Sequence, residues 1–155
     1  MIRLLQRLSL IIVCIAPLIF AGESSRADST DQPAIAVIRG RAVCLDDAGR
    51  IVDSLFYCKT SRFGFVDKDS KLYRFSEADT QAAIFTDARV RQRELQITAQ
   101  LHGVNQLEII KVQSVRDGKL YDIYYFCELC NIRAYAPGLC PCCRNELQFR
   151  ESPSD

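Results

Sequence analysis

The chain has no tryptophan, one methionine and one histidine. Acid–base catalysis by histidine would therefore rest on His102 alone, and His102 sits directly before Gly103 in a turn-like stretch. An excess of either charge is also missing. The formal net charge of +1 gives no reason to expect a polyanion as partner. Nor is there a defensible carboxylate pair, since Asp46, Asp47, Asp67 and Asp69 all fall in turn signals. With no catalytic constellation in view, the expectation is a protein that is not an enzyme.

What is present begins with a leader-like N-terminus. Arg3 and Arg7 give a basic start, and Leu8 to Ala21 is apolar apart from Ser9 and Pro17. The chain then turns polar through Glu23, Ser24, Ser25 and Arg26, the pattern of a secretory signal. Small residues at Ser25 and Ala27 fit cleavage after Ala27, with Ala21 as the alternative point. The apolar run of about 14 residues falls short of the ~20 needed to span a bilayer. An uncleaved anchor, or a lipoprotein joined at Cys14, are the competing readings. The expectation is an exported protein, periplasmic or secreted, with no membrane span after cleavage. Loss of Arg3, Arg7, Arg26 and Glu23 leaves 17 basic and 18 acidic residues, which argues against nucleic acid as partner. No other partner is indicated.

At 155 residues the chain is expected to hold one folded domain. Residues 28–34 read as a linker. Ile35 to Leu45 is rich in β-branched residues and predicts a long strand, closed by the Asp46–Gly49 turn. Ile51 to Tyr57 predicts a short extended piece. Arg62 to Phe75 predicts a hairpin around Asp67–Lys71. Ser76 is the expected N-cap of a short helix over Gln81–Phe85, with Glu77 and Asp79 in its first turn. From Val90 the chain is expected to return to strands. Leu95, Ile97, Ala99 and Leu101 alternate with polar residues, Leu107 to Val115 forms the next run, and Asp117-Gly118 turns it into Leu120–Phe126.

This order resembles the oligonucleotide/oligosaccharide-binding (OB) fold, a five-stranded Greek-key barrel with a helix between its third and fourth strands. The resemblance covers about Ile35 to Val115 and implies a mainly β, OB-like barrel over residues 35–126 with a C-terminal strand. A narrower likeness lies in Ile38-Arg39-Gly40-Arg41-Ala42-Val43-Cys44-Leu45-Asp46, Leu72-Tyr73-Arg74-Phe75 and Ile97-Thr98-Ala99-Gln100-Leu101. These look like small secreted bacterial barrel domains of uncharacterised function, in which a glycine stands where this chain has Ala99. That resemblance implies a fold and export rather than an activity.

The strongest chemical signal is in residues 127–150. Cys127-Glu128-Leu129-Cys130 and Cys140-Pro141-Cys142-Cys143 are separated by nine residues containing the Ala136-Pro137-Gly138 turn. Cys127, Cys130, Cys140 and Cys143 can supply four thiolates to one tetrahedral metal. The two turns resemble the knuckles of zinc ribbons and rubredoxins, whose residue after the second cysteine takes a left-handed backbone. Here Asn131 and Arg144 occupy those places. Zinc is the expected ion and iron the alternative, since four thiolates suit both. A site with no spare coordination position is expected to be structural.

Seven cysteines remain after signal cleavage, an odd number. Cys44 and Cys58 are the candidate disulfide, and Cys142 is the spare thiol or a substitute ligand for Cys140 or Cys143. In an oxidising compartment the cluster could instead be disulfide-bonded. Cys140, Cys142 and Cys143 could alternatively serve thiol redox or metal handling, although the βαβ context of thioredoxin-type motifs is missing. A third reading places an oligonucleotide or glycan on the barrel face, through Arg39, Arg41, Arg89, Arg91 and Arg93 and the aromatic Tyr121, Tyr124, Tyr125, Phe126 and Tyr135. Solvated strand edges and hairpin packing account for the same residues more simply.

Overall fold

Alternating side chains and β-branched residues make the described residues mainly β, with very little helix. The computed structural model describes residues 34–52, 58, 62–76 and 78–154. The expected signal segment, most of the 28–34 linker, residues 53–57 of the second extended piece and Glu77 lie outside them.

The strands are β1 (Ala34–Leu45), β2 (Ile51–Val52), β3 (Phe63–Asp67), β4 (Leu72–Phe75), β5 (Leu95–His102), β6 (Gln106–Arg116), β7 (Lys119–Cys127), β8 (Ile132–Ala134) and β9 (Gln148–Pro153). A 3-10 helix, Thr80–Thr86, and one turn of α-helix, α1 (Ala88–Arg91), stand between β4 and β5. All nine strands belong to one hydrogen-bonded sheet. β1 pairs antiparallel with β3 and β3 with β4, while β4 pairs parallel with β6. β6 pairs antiparallel with β5, and β5 pairs antiparallel with β1. The pairings of these five strands thus return to their start. β7 leaves this cycle along β6 and carries β8 and β9.

Period-2 burial explains why these segments are strands. Leu95, Ile97 and Ala99 of β5 are fully buried, as are Phe65 of β3 and Leu107 of β6, while intervening residues are more open. Phe85 of the 3-10 helix packs over them, its ring stacked 5.0 Å from that of Phe75. The same core cluster continues through Ile123 and Tyr125 of β7 to Cys127, Cys140 and Leu147. No helix among the described residues is long and apolar enough to cross a membrane.

Two local expectations are corrected. The cap of the first helix is Asp79, not Ser76: its carboxylate accepts from the Gln81 N–H at 2.9 Å and from the Ile109 N–H of β6 at 2.7 Å. One side chain therefore starts the helix and ties it to the sheet. The return to strand also begins at Leu95 rather than Val90, because Asp87 caps α1 by accepting from the Arg89 N–H.

α1 changes the meaning of the alternating arginines. Arg91 is buried and donates to the carbonyls of Phe85 and Thr86. Arg89 pairs with Asp87 at 2.7 Å. Arg93 grips Glu151 of β9 through two hydrogen bonds of 2.9 Å. Arg89 and Arg93 both lie 4.8 Å from the Phe149 ring. These three cations clasp the helical turn and β9, so they do not form the open basic face that the alternation suggested.

This clasp is pH-sensitive. Burial pushes the Glu151 carboxyl up, but the Arg93 fork and the Ser114 hydroxyl outweigh it and hold the group below its ordinary value. Asp87 is likewise held low: burial opposes, while the Arg89 side chain and amide and the Tyr125 hydroxyl prevail. A carboxylate with a depressed folded-state pKa stabilises fully above its unfolded value and loses that contribution as pH falls through the folded one. Acidification below about pH 4 is expected to loosen β9 first. Hydrogen exchange at 148–153 should rise ahead of exchange in β5; simultaneous loss would count against the clasp.

Candidate metal centre

β7 delivers Cys127 as its last residue, and the chain turns through Cys130 before β8 begins at Ile132. Asn131 closes this turn with φ 55°, and Arg144 closes the second with φ 64°. Both positions are left-handed, as the knuckle pattern requires, even though one is arginine. The second knuckle sits in a small loop of its own. The Cys140 N–H donates to the Asn145 carbonyl at 2.7 Å, the Arg144 N–H to the Cys140 carbonyl at 2.9 Å, and the Leu147 N–H to the Gly138 carbonyl at 2.9 Å.

These turns aim backbone amides at sulfur. The Cys130 N–H donates to Cys127 Sγ, and the N–H groups of Cys143 and Cys142 donate to Cys140 Sγ. The two amides, that of Cys143 foremost, bring the Cys140 thiol down to about 7 against the cost of burial. The Cys130 thiol moves the other way, pushed up by hydrogen bonding with the sulfurs of Cys142 and Cys143. Amide donors at one sulfur and crowded sulfurs at another describe a pocket made for shared negative charge.

The Sγ atoms of Cys127, Cys130, Cys140 and Cys143 all lie within 4.8 Å of one another, and Cys127 and Cys143 approach to 3.5 Å. Four thiolates about 2.3 Å from one ion would stand about 3.8 Å apart. No separation therefore needs to contract by more than about 1 Å, so the donor set and its geometry fit a tetrahedral ion. Cys127 and Cys140 are buried, Cys130 and Cys143 half-buried. Cys142 is exposed and stands outside the four.

The other candidates fall elsewhere. Cys44 and Cys58 are at disulfide distance, with Cα atoms 5.7 Å apart, next to β2 and β3. His102 ends β5 and meets Glu108 at 3.1 Å across the hairpin. Of the aromatic residues, Tyr125 is buried with its hydroxyl on Asp87 at 2.9 Å. Tyr121 and Tyr124 lie beneath Arg116 and Arg133, at 3.9 and 3.6 Å. Phe126 lies near Arg150, which also pairs with Glu128. Tyr135 remains exposed.

The chain matches no family model, no curated protein and no solved structure. Its class therefore rests on its own geometry: a mainly β protein of one nine-stranded sheet, carrying a four-cysteine cluster able to hold a metal ion.

Proposed function

We propose that this chain is an exported, non-enzymatic binding module whose C-terminal segment is clipped by a structural zinc ion. The observation that carries this reading is the convergence of four sulfurs from two left-handed knuckles. Four protein ligands leave no coordination position for a substrate, which favours a structural role. The returning pairing cycle β1–β3–β4–β6–β5, with its parallel β4–β6 step, supports an OB-like barrel as the framework. The Cys44–Cys58 pair, at disulfide distance, is compatible with an oxidising compartment and so supports export. Zinc would order the 127–147 segment by drawing in Cys127, Cys130, Cys140 and Cys143.

The competing reading is thiol redox, favoured by the exposure of Cys142, one residue from Cys143 of the cluster. Metal analysis with free-thiol counting on the purified protein separates the two. One zinc or iron per chain, with Cys142 the only readily alkylated thiol, is the expected result. A metal-free protein in which two of the five C-terminal cysteines cycle reversibly between thiol and disulfide would replace the structural reading with the redox one. Arg89, Arg91 and Arg93, three of the five arginines that suggested a polyanion site, are engaged within the chain, which weakens the oligonucleotide reading.

A further inference from the structure

The inference begins at a break in β6. Its pairing with β5 passes from Ala99↔Ile109 directly to Thr98↔Lys111, leaving Ile110 as the extra residue of a β-bulge. Bulges re-aim side chains. Ile109 stays buried, whereas Ile110 is 46% exposed. Ile110 and its neighbour Lys111 both line a groove of about 590 Å³. Ile84 of the 3-10 helix and Ile123 of β7 supply more apolar wall, and Arg133 of β8 and Tyr135 just after it also line the groove.

The groove's charge is unbalanced. Lys111 is matched by Asp122 at 2.9 Å. Arg133 has its guanidinium over the Tyr124 ring and no ion-pair partner among the described residues. Stacking fixes the plane of a guanidinium while leaving its N–H edge able to bind an anion in forked geometry. An apolar trough of this volume with one such cation has the make-up of a small-ligand site.

We propose that this groove binds a small amphipathic anion, its hydrocarbon or aromatic body on Ile84, Ile110 and Ile123 and its carboxylate-like head on Arg133. This names a ligand class for the binding module proposed above. It requires the C-terminal segment to be seated, not that zinc in particular seats it. Because Arg133 and Tyr135 follow directly on the first knuckle, whatever clips the cysteines also holds one wall of the site.

The test is a titration of the isotope-labelled full chain, as purified, with decanoate below its micelle concentration, and in parallel with decanol and with phosphatidylglycerol vesicles. Saturable amide shifts around Ile84, Ile110, Lys111 and Arg133 are expected for decanoate, with decanol binding about tenfold more weakly, as loss of a charge-assisted contact implies. Arg133→Gln is expected to bring decanoate to the level of decanol. Ile110→Glu should abolish both while leaving the spectrum otherwise folded. Equal binding of decanoate and decanol to the wild type, shifts outside the groove, or preference for vesicles would overturn the proposal. Metal content read on the same samples separates a failed groove from a failed metal site.

Discussion

Replacing Cys140 by serine is expected to take the protein from one bound metal per chain to none. Cys140 is the most deeply buried of the four cysteines, and its sulfur receives two backbone N–H groups. Serine keeps the shape but offers no thiolate. Structural zinc in small cysteine-rich units contributes on the order of 10 kcal/mol of folding free energy, comparable with the whole stability of a domain, about 5–15 kcal/mol. The knuckle segment has little else to hold it. β8 is three residues long, and Leu139–Glu146 is an isolated bridge. Exchange protection at 132–134 and 139–147 is therefore expected to collapse. β9 should persist, because six of its residues pair with β7 and the arginine clasp holds it independently. Cys142→Ser is the control and should keep the metal, as its sulfur stands outside the four. Metal retained by Cys140→Ser but lost by Cys142→Ser would reverse the ligand assignment.

The same two attachments show what could and could not be read from residue order. The strands of the pairing cycle were legible because burial of one face leaves a period of two, as in Leu95, Ile97 and Ala99. The cysteine spacing was legible because two Cys-x2-Cys turns have few other uses. α1 was not, since four residues cannot show a helical period. β9 was hidden for a different reason. Gln148–Pro153 carries Arg150 and Glu151 and ends in proline, so its sequence looks like a polar tail. Its place is set by partners far away in the chain, Arg93 at one end and Tyr121–Phe126 along its length. Asp79 shows the same limit: its bond to Ile109, thirty residues on, selects it over Ser76 as cap. The bulge did leave a trace. In β6 the buried set Leu107 and Ile109 changes phase to Val112 and Ser114, and the change falls at Ile110.

Gly40→Ala is expected to be the most damaging single-methyl change in the framework. Gly40 is where β1 passes from one partner to another, paired with Leu95 of β5 and with Asp67 of β3. A Cβ there would stand 2.0 Å from the Val66 carbonyl oxygen and 2.8 Å from its carbon and from Asp67 Cα. All three neighbours are backbone of a paired strand, so no side chain can swing away. Relief requires β3 to move, which pulls on the β1–β3 register from Gly40↔Asp67 to Cys44↔Phe63. Overpacking of this kind costs about 3 kcal/mol or more, which for a domain this size lowers Tm by roughly 10 °C. Gly40→Val should leave little folded protein. Gly118→Ala separates crowding from conformation, since Gly118 has φ 74° in the Asp117-Gly118 turn with open space around it. A left-handed alanine there should cost only about 1 kcal/mol. Urea melts of the two alanine variants should therefore differ clearly in midpoint. If Gly118→Ala proves the more harmful, the close approach of β1 and β3 is not what the glycine at position 40 provides.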